Sequence, residues 1–172
     1  MADLFVHECL RDTPLVAIPR PEIQLVVRFG PSARRGLDAH VFGVRQKVHR
    51  KLIRAGQWSL TARLRLGAST AVFGVPASAL AGRLVGLDAL WGAAATEQLY
   101  DRLAATRTKP DAAAVVDHAI AERLAGDHVV RAHDELVLEA ADRLATASVT
   151  TVAAELGLSQ RHLRRVFHAA VG

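Results

Sequence analysis

The spacing of apolar residues changes once along this chain, and this change constrains the fold more than any other feature of the sequence. In residues 22–29 every second side chain, from Ile23 to Phe29, is apolar, and the side chains between them are mostly polar. Residues 59–66 repeat the pattern with leucine and alanine against threonine and arginine. A period of two is that of a strand with one buried face, so both segments are predicted to be β-strands. Further strands are predicted over residues 38–44 and 48–53.

From Gly74 onward the apolar residues follow helical spacing instead. Strands followed by helices, rather than strands alternating with helices, favour the α+β class. The predicted architecture is a small antiparallel β-barrel or sandwich followed by a helical connector. Asp127 is a suitable N-cap for the last of the long helices. Helices are predicted over residues 77–81, 94–105, 111–125 and 128–146.

Residues 148–171 have the residue types that two short helices joined by a tight turn require. Ser148 and Ser159 can each cap a helix N-terminus, and Gly157 can take the left-handed backbone conformation between the two helices. The small Ala153 allows the helices to approach closely. This spacing predicts a helix-turn-helix unit with the core residues Val152, Ala153, Leu156, Gly157, Leu158, Leu163 and Phe167.

The second helix of this unit has a polar face made almost entirely of hydrogen-bond donors. Arginine can bind the O6 and N7 atoms of guanine in the major groove, and glutamine can bind adenine. The N-terminal turn of the second helix normally enters that groove. The alternative interpretation is a solvated helix face that is rich in arginine. The predicted DNA-binding residues are Gln160, Arg161, Arg164, Arg165 and His168.

The formal net charge of the chain is +5, and it is unevenly distributed. Residues 1–70 carry twelve basic and five acidic side chains. Most of these arginines fall between the apolar positions of the strands, so their expected role is to keep one face of a sheet hydrated; the alternative is an anion site. The length of 172 residues and the hydrophobic fraction of 51% are those of a globular protein with a real core.

The N-terminus and the cysteine content predict a cytoplasmic protein. The first twelve residues contain Asp3, Glu8 and Asp12 and lack the basic region and apolar run of a signal peptide. No stretch of about eighteen residues is apolar and free of charge, so no membrane span is predicted. The single Cys9 excludes an intrachain disulfide and fits a reducing compartment.

Residues 152–172, VAAELGLSQRHLRRVFHAAVG, strongly resemble the first helix-turn-helix of the AraC/XylS-type transcription regulators. The family pattern is a capped short helix, the turn LGLS, and a helix of the form R-x-L-x-R-x-F that ends in glycine. Residues 73–92 and the strands before them are similar to the N-terminal regulatory domain of some of these regulators, which is described as cupin-like. The matching positions in the helix-turn-helix are Ala153, Leu156, Gly157, Ser159, Leu163, Arg165, Phe167 and Gly172.

This resemblance implies two domains and a function in transcription. A cupin-like regulatory domain with its helical connector would span residues 1–126, and the first half of a DNA-binding domain would span residues 127–172. Family members carry a second helix-turn-helix after a linker helix, and this chain stops at Gly172, where the linker would begin. With one unit, affinity for double-stranded DNA is expected to fall toward the non-specific range, roughly 10⁻⁴–10⁻⁶ M. A homodimer is expected, since these regulators commonly bind DNA as dimers.

The N-terminal domain is interpreted as a sensor rather than an enzyme. A cupin-type metalloenzyme needs histidines in His-x-His spacing, which do not occur, and the pair Asp38 and His40 is interpreted as structural. No phosphate-binding glycine loop or nucleophile elbow occurs, so no catalytic residue, metal or cofactor is predicted. The alternative function is a sensing or dimerisation module that binds no DNA in this form. A pocket for a small-molecule effector is predicted from four aromatic residues, each of which is otherwise a core residue: Phe29, Phe42, Trp58 and Phe73.

Overall fold

Seven β-strands form most of the first half of the chain in the computed structural model. The model describes residues 2–45, 47–125 and 128–171, and for residues 128–134 it describes the backbone alone. The strands are β1 (Asp3–Cys9), β2 (Thr13–Ala17), β3 (Gln24–Phe29), β4 (Leu37–Phe42), β5 (His49–Ile53), β6 (Gln57–Arg63) and β7 (Leu84–Gly86). Alternation predicts β3, β4, β5 and β6 correctly. It misses β1, which has three apolar residues in succession, β2, which contains Pro14, and β7, which has only three residues.

The three successive strand pairs β1–β6, β2–β5 and β3–β4 are antiparallel and share one register, although the isolated Arg20–Arg45 bridge between the second and third pairs is offset from it by one residue. Residues 3–29 and 37–63 are therefore the two arms of a single long ribbon with its tip at residues 30–36. The ribbon folds back on itself, since β3 pairs with β6 as well as with β4. The pairs that define the register are Asp3–Arg63, Thr13–Ile53 and Gln24–Phe42.

The folded ribbon produces two sheets. Strands β1, β6, β3, β4 and β7 form a five-stranded sheet in that order, and β2 and β5 form a separate two-stranded sheet, which we call the bend. In the described part of the chain, no further strand lies beside β1 or β7, so the larger sheet is open. The predicted α+β class with an antiparallel sheet is confirmed. The predicted barrel is wrong, because the ribbon folds back without joining its two edge strands.

Alternation gives the five-stranded sheet two different faces. The first face packs against the helices and carries the fully buried side chains Leu25, Val27, Val41 and Leu60. The second face carries polar and aromatic side chains, among them Gln24, Arg28, Asp38, His40, Phe42 and Arg63. The bend lies beside this second face, where the Lys51 ammonium is 5.4 Å from the ring centroid of Phe42.

The structure has eight α-helices in the residues that it describes: α1 (Ser69–Phe73), α2 (Ala77–Leu80), α3 (Asp88–Trp91), α4 (Ala93–Ala104), α5 (Lys109–Ala125), α6 (His128–Leu144), α7 (Val149–Glu155) and α8 (Gln160–Val171). The four helices predicted outside the helix-turn-helix agree with α2, α4, α5 and α6 to within about two residues at most ends. The predicted cap Asp127 lies outside the described residues. Trp91 anchors the helices to the core, since its indole Nε1 donates to the Val72 carbonyl at 2.8 Å.

The short helix α2 is held against the sheet by backbone contacts at Gly43. The amide of Gly43 donates to the carbonyl of Arg83 at 3.0 Å, and the amide of Gly82 donates to the carbonyl of Val44 at 2.8 Å. A Cβ atom at position 43 would lie 1.6 Å from the carbonyl oxygen of Leu80, so only glycine fits there. Because α2 also contacts α8, the sheet positions the C-terminal helix through α2.

Candidate nucleic-acid interface

Helices α6, α7 and α8 pack around a small core of their own. The side chains that were predicted from sequence for this core all lie in it, and Gly157 lies in the exposed turn. The packing partner that the sequence pattern misses is Ala140 of α6, which is fully buried. The core consists of Ala140, Val152, Ala153 and Leu163, with Leu144, Ala147, Val149, Leu156, Leu158 and Phe167 packed against it.

Both predicted serine caps form. The hydroxyl of Ser148 accepts a hydrogen bond from the amide of Thr151 at 3.2 Å, at the start of α7. The hydroxyl of Ser159 accepts one from the amide of His162 at 3.1 Å, at the start of α8. Each bond satisfies an amide that has no partner within its helix, so the two serines fix where the helices begin.

The turn between α7 and α8 takes its direction from Gly157. This residue has φ of 66°, in the left-handed region that glycine adopts without a steric penalty. The amide of Leu158 donates to the carbonyl of Ala153 at 2.8 Å, and that of Gly157 to the carbonyl of Ala154 at 3.1 Å. These bonds close the C-terminus of α7 and turn the chain so that Leu158 packs against the core.

Replacement of Ser148 by alanine is expected to destabilise the α6–α8 unit by about 1 kcal/mol, because the amide of Thr151 loses its acceptor. Ser148→Asp is the matched control, since a carboxylate accepts the same bond and is favoured at a helix N-terminus. Chemical denaturation followed by circular dichroism measures both variants. A loss in Ser148→Asp as large as that in Ser148→Ala would contradict a capping role.

The basic face of α8 is exposed as the sequence predicts. All five predicted DNA-binding residues are exposed, and within the described residues Arg161, Arg164 and Arg165 lie in no ion pair with a carboxylate. Two of the five side chains already have a partner: the amide of Gln160 donates to the Thr150 hydroxyl at 3.1 Å, and Arg165 Nη2 lies 3.4 Å from His162 Nδ1. Arg165 would have to leave only a neighbour on its own helix to contact phosphate or bases, whereas Gln160 must first release α7.

Two carboxylates of the three-helix unit, those of Glu139 and Glu155, are paired away from α8. The guanidinium of Arg143 binds Glu139 at 2.5 Å and Glu155 at 3.0 Å, and so links α6 to α7. These two carboxylates are thereby neutralised by an arginine that does not belong to the basic face. The pairing preserves the positive potential of α8, since an acidic side chain beside the arginines would cancel it.

The opposite side of α8 is apolar and packs inward. Val166 and Ala170 are buried, and they form a cluster with Val137 of α6. Leu66, which directly follows the strands, packs against the same cluster. Together with the contact between α2 and α8, this cluster joins the three-helix unit to the N-terminal half of the chain.

One edge of the basic face borders an apolar groove of about 350 Å³. Arg164 and His168 line the groove together with the apolar side chains of Leu144, Phe167 and Val171. The basic face therefore ends against an apolar surface, and its charge is not cancelled along this edge.

The structure separates the four aromatic residues predicted to line an effector pocket. Phe29 and Trp58 stack on each other with ring centroids 3.7 Å apart, on the helix side of the sheet. Phe73 is buried in the main core, 6.4 Å from Trp91. Phe42 lies on the second face of the sheet, beside the bend. The four side chains do not line one common cavity.

Asp38 organises a polar group on the second face. The carboxylate accepts hydrogen bonds from Arg28 Nε at 2.7 Å, from Arg28 Nη2 at 2.6 Å and from the amide of Arg34 at 2.9 Å. Burial alone would raise the pKa of Asp38, but the bonds from Arg28 and Arg34 outweigh it and hold the pKa below its usual value. His40 Nδ1 is 3.4 Å from the carboxylate, and burial lowers the pKa of His40. The pair Asp38 and His40 is thus arranged around an arginine.

Two further observations concern the described residues as a whole. They contain no group of three or more histidine, cysteine, aspartate or glutamate side chains placed to hold a metal ion. None of the helices they form is long and apolar enough to cross a membrane.

Comparison of the chain with protein-family models, with curated proteins and with solved structures gave no match.

Proposed function

We propose that this chain is a sequence-specific DNA-binding transcription regulator of the AraC/XylS type, acting in the cytoplasm. In this proposal α7 and α8 are a helix-turn-helix, and the strands with α1–α5 are a cupin-like domain for sensing or dimerisation. The observation that carries the proposal is the exposed face of α8, on which Arg161, Arg164 and Arg165 have no carboxylate partner among the described residues.

The spacing of the three arginines suits a major groove. They lie at positions i, i+3 and i+4 and therefore share one side of α8. The helix has 12 residues and is about 18 Å long, and a major groove about 12 Å wide admits such a helix. Because the apolar side of α8 packs on α6 and α7, the arginines face outward from a supported helix.

The folded ribbon supports the cupin-like assignment of the N-terminal half. Jelly-roll and cupin domains are built from antiparallel strands in two sheets. Here one long ribbon supplies both a five-stranded and a two-stranded sheet. A regulator of this kind would couple ligand or partner binding at the ribbon to α8 by a shift between conformations.

The DNA-binding part of the proposal is tested by measuring the affinity of the chain for a fluorescent 30-base-pair duplex of random sequence at several salt concentrations. Removing one side chain that neutralises a phosphate reduces the slope of log K against log salt by about 0.9. The variant Arg161→Ala/Arg164→Ala/Arg165→Ala is therefore expected to bind at least tenfold more weakly at low salt and to have a slope smaller by about two to three.

The matched control removes the same charge from another place. Arg11, Arg65 and Arg107 are exposed, and the triple variant Arg11→Ala/Arg65→Ala/Arg107→Ala has the same net charge as the α8 variant. At 0.1 M salt this control is expected to change the affinity by less than a factor of about three, since charge is screened there within about 10 Å. Equal losses in the two variants would show that net charge, and not α8, attracts DNA.

A second candidate function is self-association without DNA binding. Six of the eight large apolar residues exposed within the described part of the chain lie in or next to the bend: Leu10, Leu15, Val16, Ile18, Val48 and Leu52. Exposed apolar patches commonly mark protein–protein contacts. A stable dimer in sedimentation analysis, combined with no salt-dependent DNA binding, would favour this second function over the first.

A further inference from the structure

The bend takes no part in the buried cores of the protein. We call residues 10–20 and 45–54, the bend with its flanking residues, the bend region. None of its described side chains belongs to a core cluster or packs against one. Both strands of the bend are exposed except at Ala17 and Ile53, which are half-buried. A two-stranded sheet that buries so little apolar surface is marginally stable in water, so a partner that covers it would stabilise it.

Alternation along the two strands separates an inner face of the bend from an outer one. Lys51 approaches Phe42 of the larger sheet, so it belongs to the inner face. Arg50, the preceding residue, therefore points outward, together with Val16, which stands directly opposite it. The outward-pointing side chains, which we call the outer stripe, are Pro14, Val16, Arg50 and Leu52, with Ile18 and Val48 following at the same two-residue spacing.

The outer stripe is an exposed apolar surface with one charge in its middle. Its four large aliphatic side chains, two valines, an isoleucine and a leucine, are each between 50% and 54% exposed. The only charged member is Arg50, which lies between Val48 and Leu52 along β5. Apolar side chains grouped in this way on a surface commonly mark a contact with another molecule.

The charge around the outer stripe is strongly positive. The bend region contains seven basic side chains and one carboxylate, that of Asp12, which binds Arg54. Among the described residues, none of the other six basic side chains forms an ion pair. Even when Glu22 is counted, which is near enough to Arg45 to act on its pKa, the net charge is +5, equal to that of the whole chain. The surface therefore fits a partner that is apolar and acidic.

Charge and composition disfavour two other occupants of the outer stripe. A symmetric dimer brings the same patch of two copies together, so that patch must be complementary to itself. Two outer stripes would place Arg50 of one copy near Arg50 of the other, and like charges oppose association. A membrane surface is contacted mainly through tryptophan and tyrosine, and the bend region contains no tryptophan, tyrosine or phenylalanine. The aliphatic stripe thus favours another protein.

We propose that the outer stripe binds an amphipathic helix of another protein, whose apolar side covers the stripe and whose acidic side chains face Arg50 and the basic residues around it. Five residues of a strand span about 13 Å, which equals about nine residues of a helix. Two strands about 4.8 Å apart, with their side chains, are as wide as one helix of about 10 Å. The inference goes beyond the proposed function and does not depend on DNA binding.

The binding test uses a fluorescent peptide of about 18 residues, long enough to form a helix, with leucine at every third or fourth position and glutamate on either side of the leucines. Its neutral counterpart has glutamine at each glutamate. Fluorescence anisotropy with the full chain at low ionic strength measures both affinities. The acidic peptide is expected to bind at least tenfold more tightly, because only it complements the basic surroundings. Equal affinity for the two peptides, or no binding of either, would overturn the proposal.

Two leucines of the bend locate the apolar contact. Leu52 belongs to the outer stripe, and Leu15, opposite Lys51, belongs to the inner face, although both are exposed. Threonine replaces each of them with a side chain that suits a strand. Leu52→Thr is expected to weaken binding of the acidic peptide at least tenfold, through lost apolar contact, and Leu15→Thr by less than twofold. Equal losses would contradict binding at the outer stripe.

Two basic residues of β5 locate the charged contact in the same way. Arg50→Gln and Lys51→Gln remove the same charge from opposite faces of the bend. Arg50→Gln is expected to reduce the preference for the acidic over the neutral peptide at least threefold, whereas Lys51→Gln should change it by less than twofold. An equal reduction in both variants would show that the overall charge, and not Arg50, selects the peptide.

Three further measurements identify the other occupants. A dimer that dissociates in Leu52→Thr would assign the outer stripe to a second copy of the chain, and binding to vesicles of phosphatidylserine and phosphatidylcholine without peptide binding would assign it to a membrane. Either result would overturn the proposal. Leu52→Thr is expected to change the melting temperature of the free chain by less than about 2 °C, because the side chain is exposed there. A large decrease would show that the stripe is covered within the chain itself. DNA binding is measured separately, so failure of the helix site leaves the proposed function standing.

Discussion

Gly43→Ala is expected to destabilise the chain by about 3 kcal/mol or more, at the upper end of the usual cost of forcing an atom into a packed site. The added Cβ would lie 1.6 Å from the carbonyl oxygen of Leu80 and 2.3 Å from its carbonyl carbon. Backbone cannot rotate out of the way as a flexible side chain can, so α2 must move. Because α2 contacts α8, the variant should also loosen the three-helix unit.

Gly36→Ala separates this steric effect from the backbone freedom of glycine. Gly36 has φ of +82°, and a Cβ there would meet nothing within 4 Å. The expected cost is about 1–2 kcal/mol, from the left-handed conformation alone. Urea denaturation of both variants checks the prediction. If Gly36→Ala proved as costly as Gly43→Ala, close packing of the sheet on α2 would not be what requires glycine at position 43.

Asp38→Ala is expected to cost about 3 kcal/mol, at the lower end for breaking a buried ion pair, because the side chain of Arg28 can still reach water. Asp38 is 7% exposed and accepts three hydrogen bonds, two from Arg28 and one from the amide of Arg34. The Arg28→Ala/Asp38→Ala double variant should recover part of the loss, since it leaves no unpaired charge. Additive losses in the double variant would contradict a specific pair. Asp12→Ala, which breaks the exposed pair with Arg54, should cost much less.

The same pair makes stability depend on pH in a predictable direction. The pKa of Asp38 is lower in the folded chain than its usual value of 3.8. The stability that the pair contributes is therefore fully present above pH 3.8 and is lost as the pH falls through the folded pKa. Unfolding curves measured between about pH 5 and pH 2 should fall less steeply in Asp38→Ala than in the unchanged chain.

Local patterns in the sequence predicted the parts of the structure that local interactions determine. The caps at Ser148 and Ser159 and the turn at Gly157 depend on residues a few positions away, and all three form as predicted. The exposed arginines of α8 follow from the same helical spacing. The DNA-binding role of these arginines remains a prediction, because exposure alone does not distinguish a reading surface from a hydrated one.

The shape of the sheet could not be predicted, because it depends on pairing between distant residues. Alternation identifies which side chains share a face of one strand, but not how the ribbon folds back on itself. Phe29 and Phe42 illustrate the difference. Both fall in predicted strands, yet Phe29 lies opposite Leu37 on the helix side, and Phe42 lies opposite Gln24 on the second face. The prediction of one common aromatic pocket was therefore wrong because alternation does not show which strands pair, and not because the residue types were unsuitable.

The same limit applies to the positions of the basic side chains in the N-terminal half. Arg20, Arg45, Lys51 and Arg63 are spread over more than forty residues, and only the folded ribbon brings them together. The sequence does contain a signal, the excess of basic side chains in residues 1–70. That signal is compatible with a hydrated sheet face and with an anion site alike. Strand pairing determines which of the basic side chains share a face.

The register of the ribbon also limits how the length of this chain can change. The paired strands keep the same register from the Asp3–Arg63 pair to the Phe29–Leu37 pair, and the one-residue offset at Arg20–Arg45 is undone before β3 begins. A single residue inserted into one arm would turn every following side chain to the other face, unless a bulge absorbed it. Insertions and deletions are therefore tolerated at the tip, residues 30–36, where both arms end, or as matched changes in the two arms. The pairing that gives the sheet its two distinct faces thus also requires the two arms of the ribbon to gain or lose residues together.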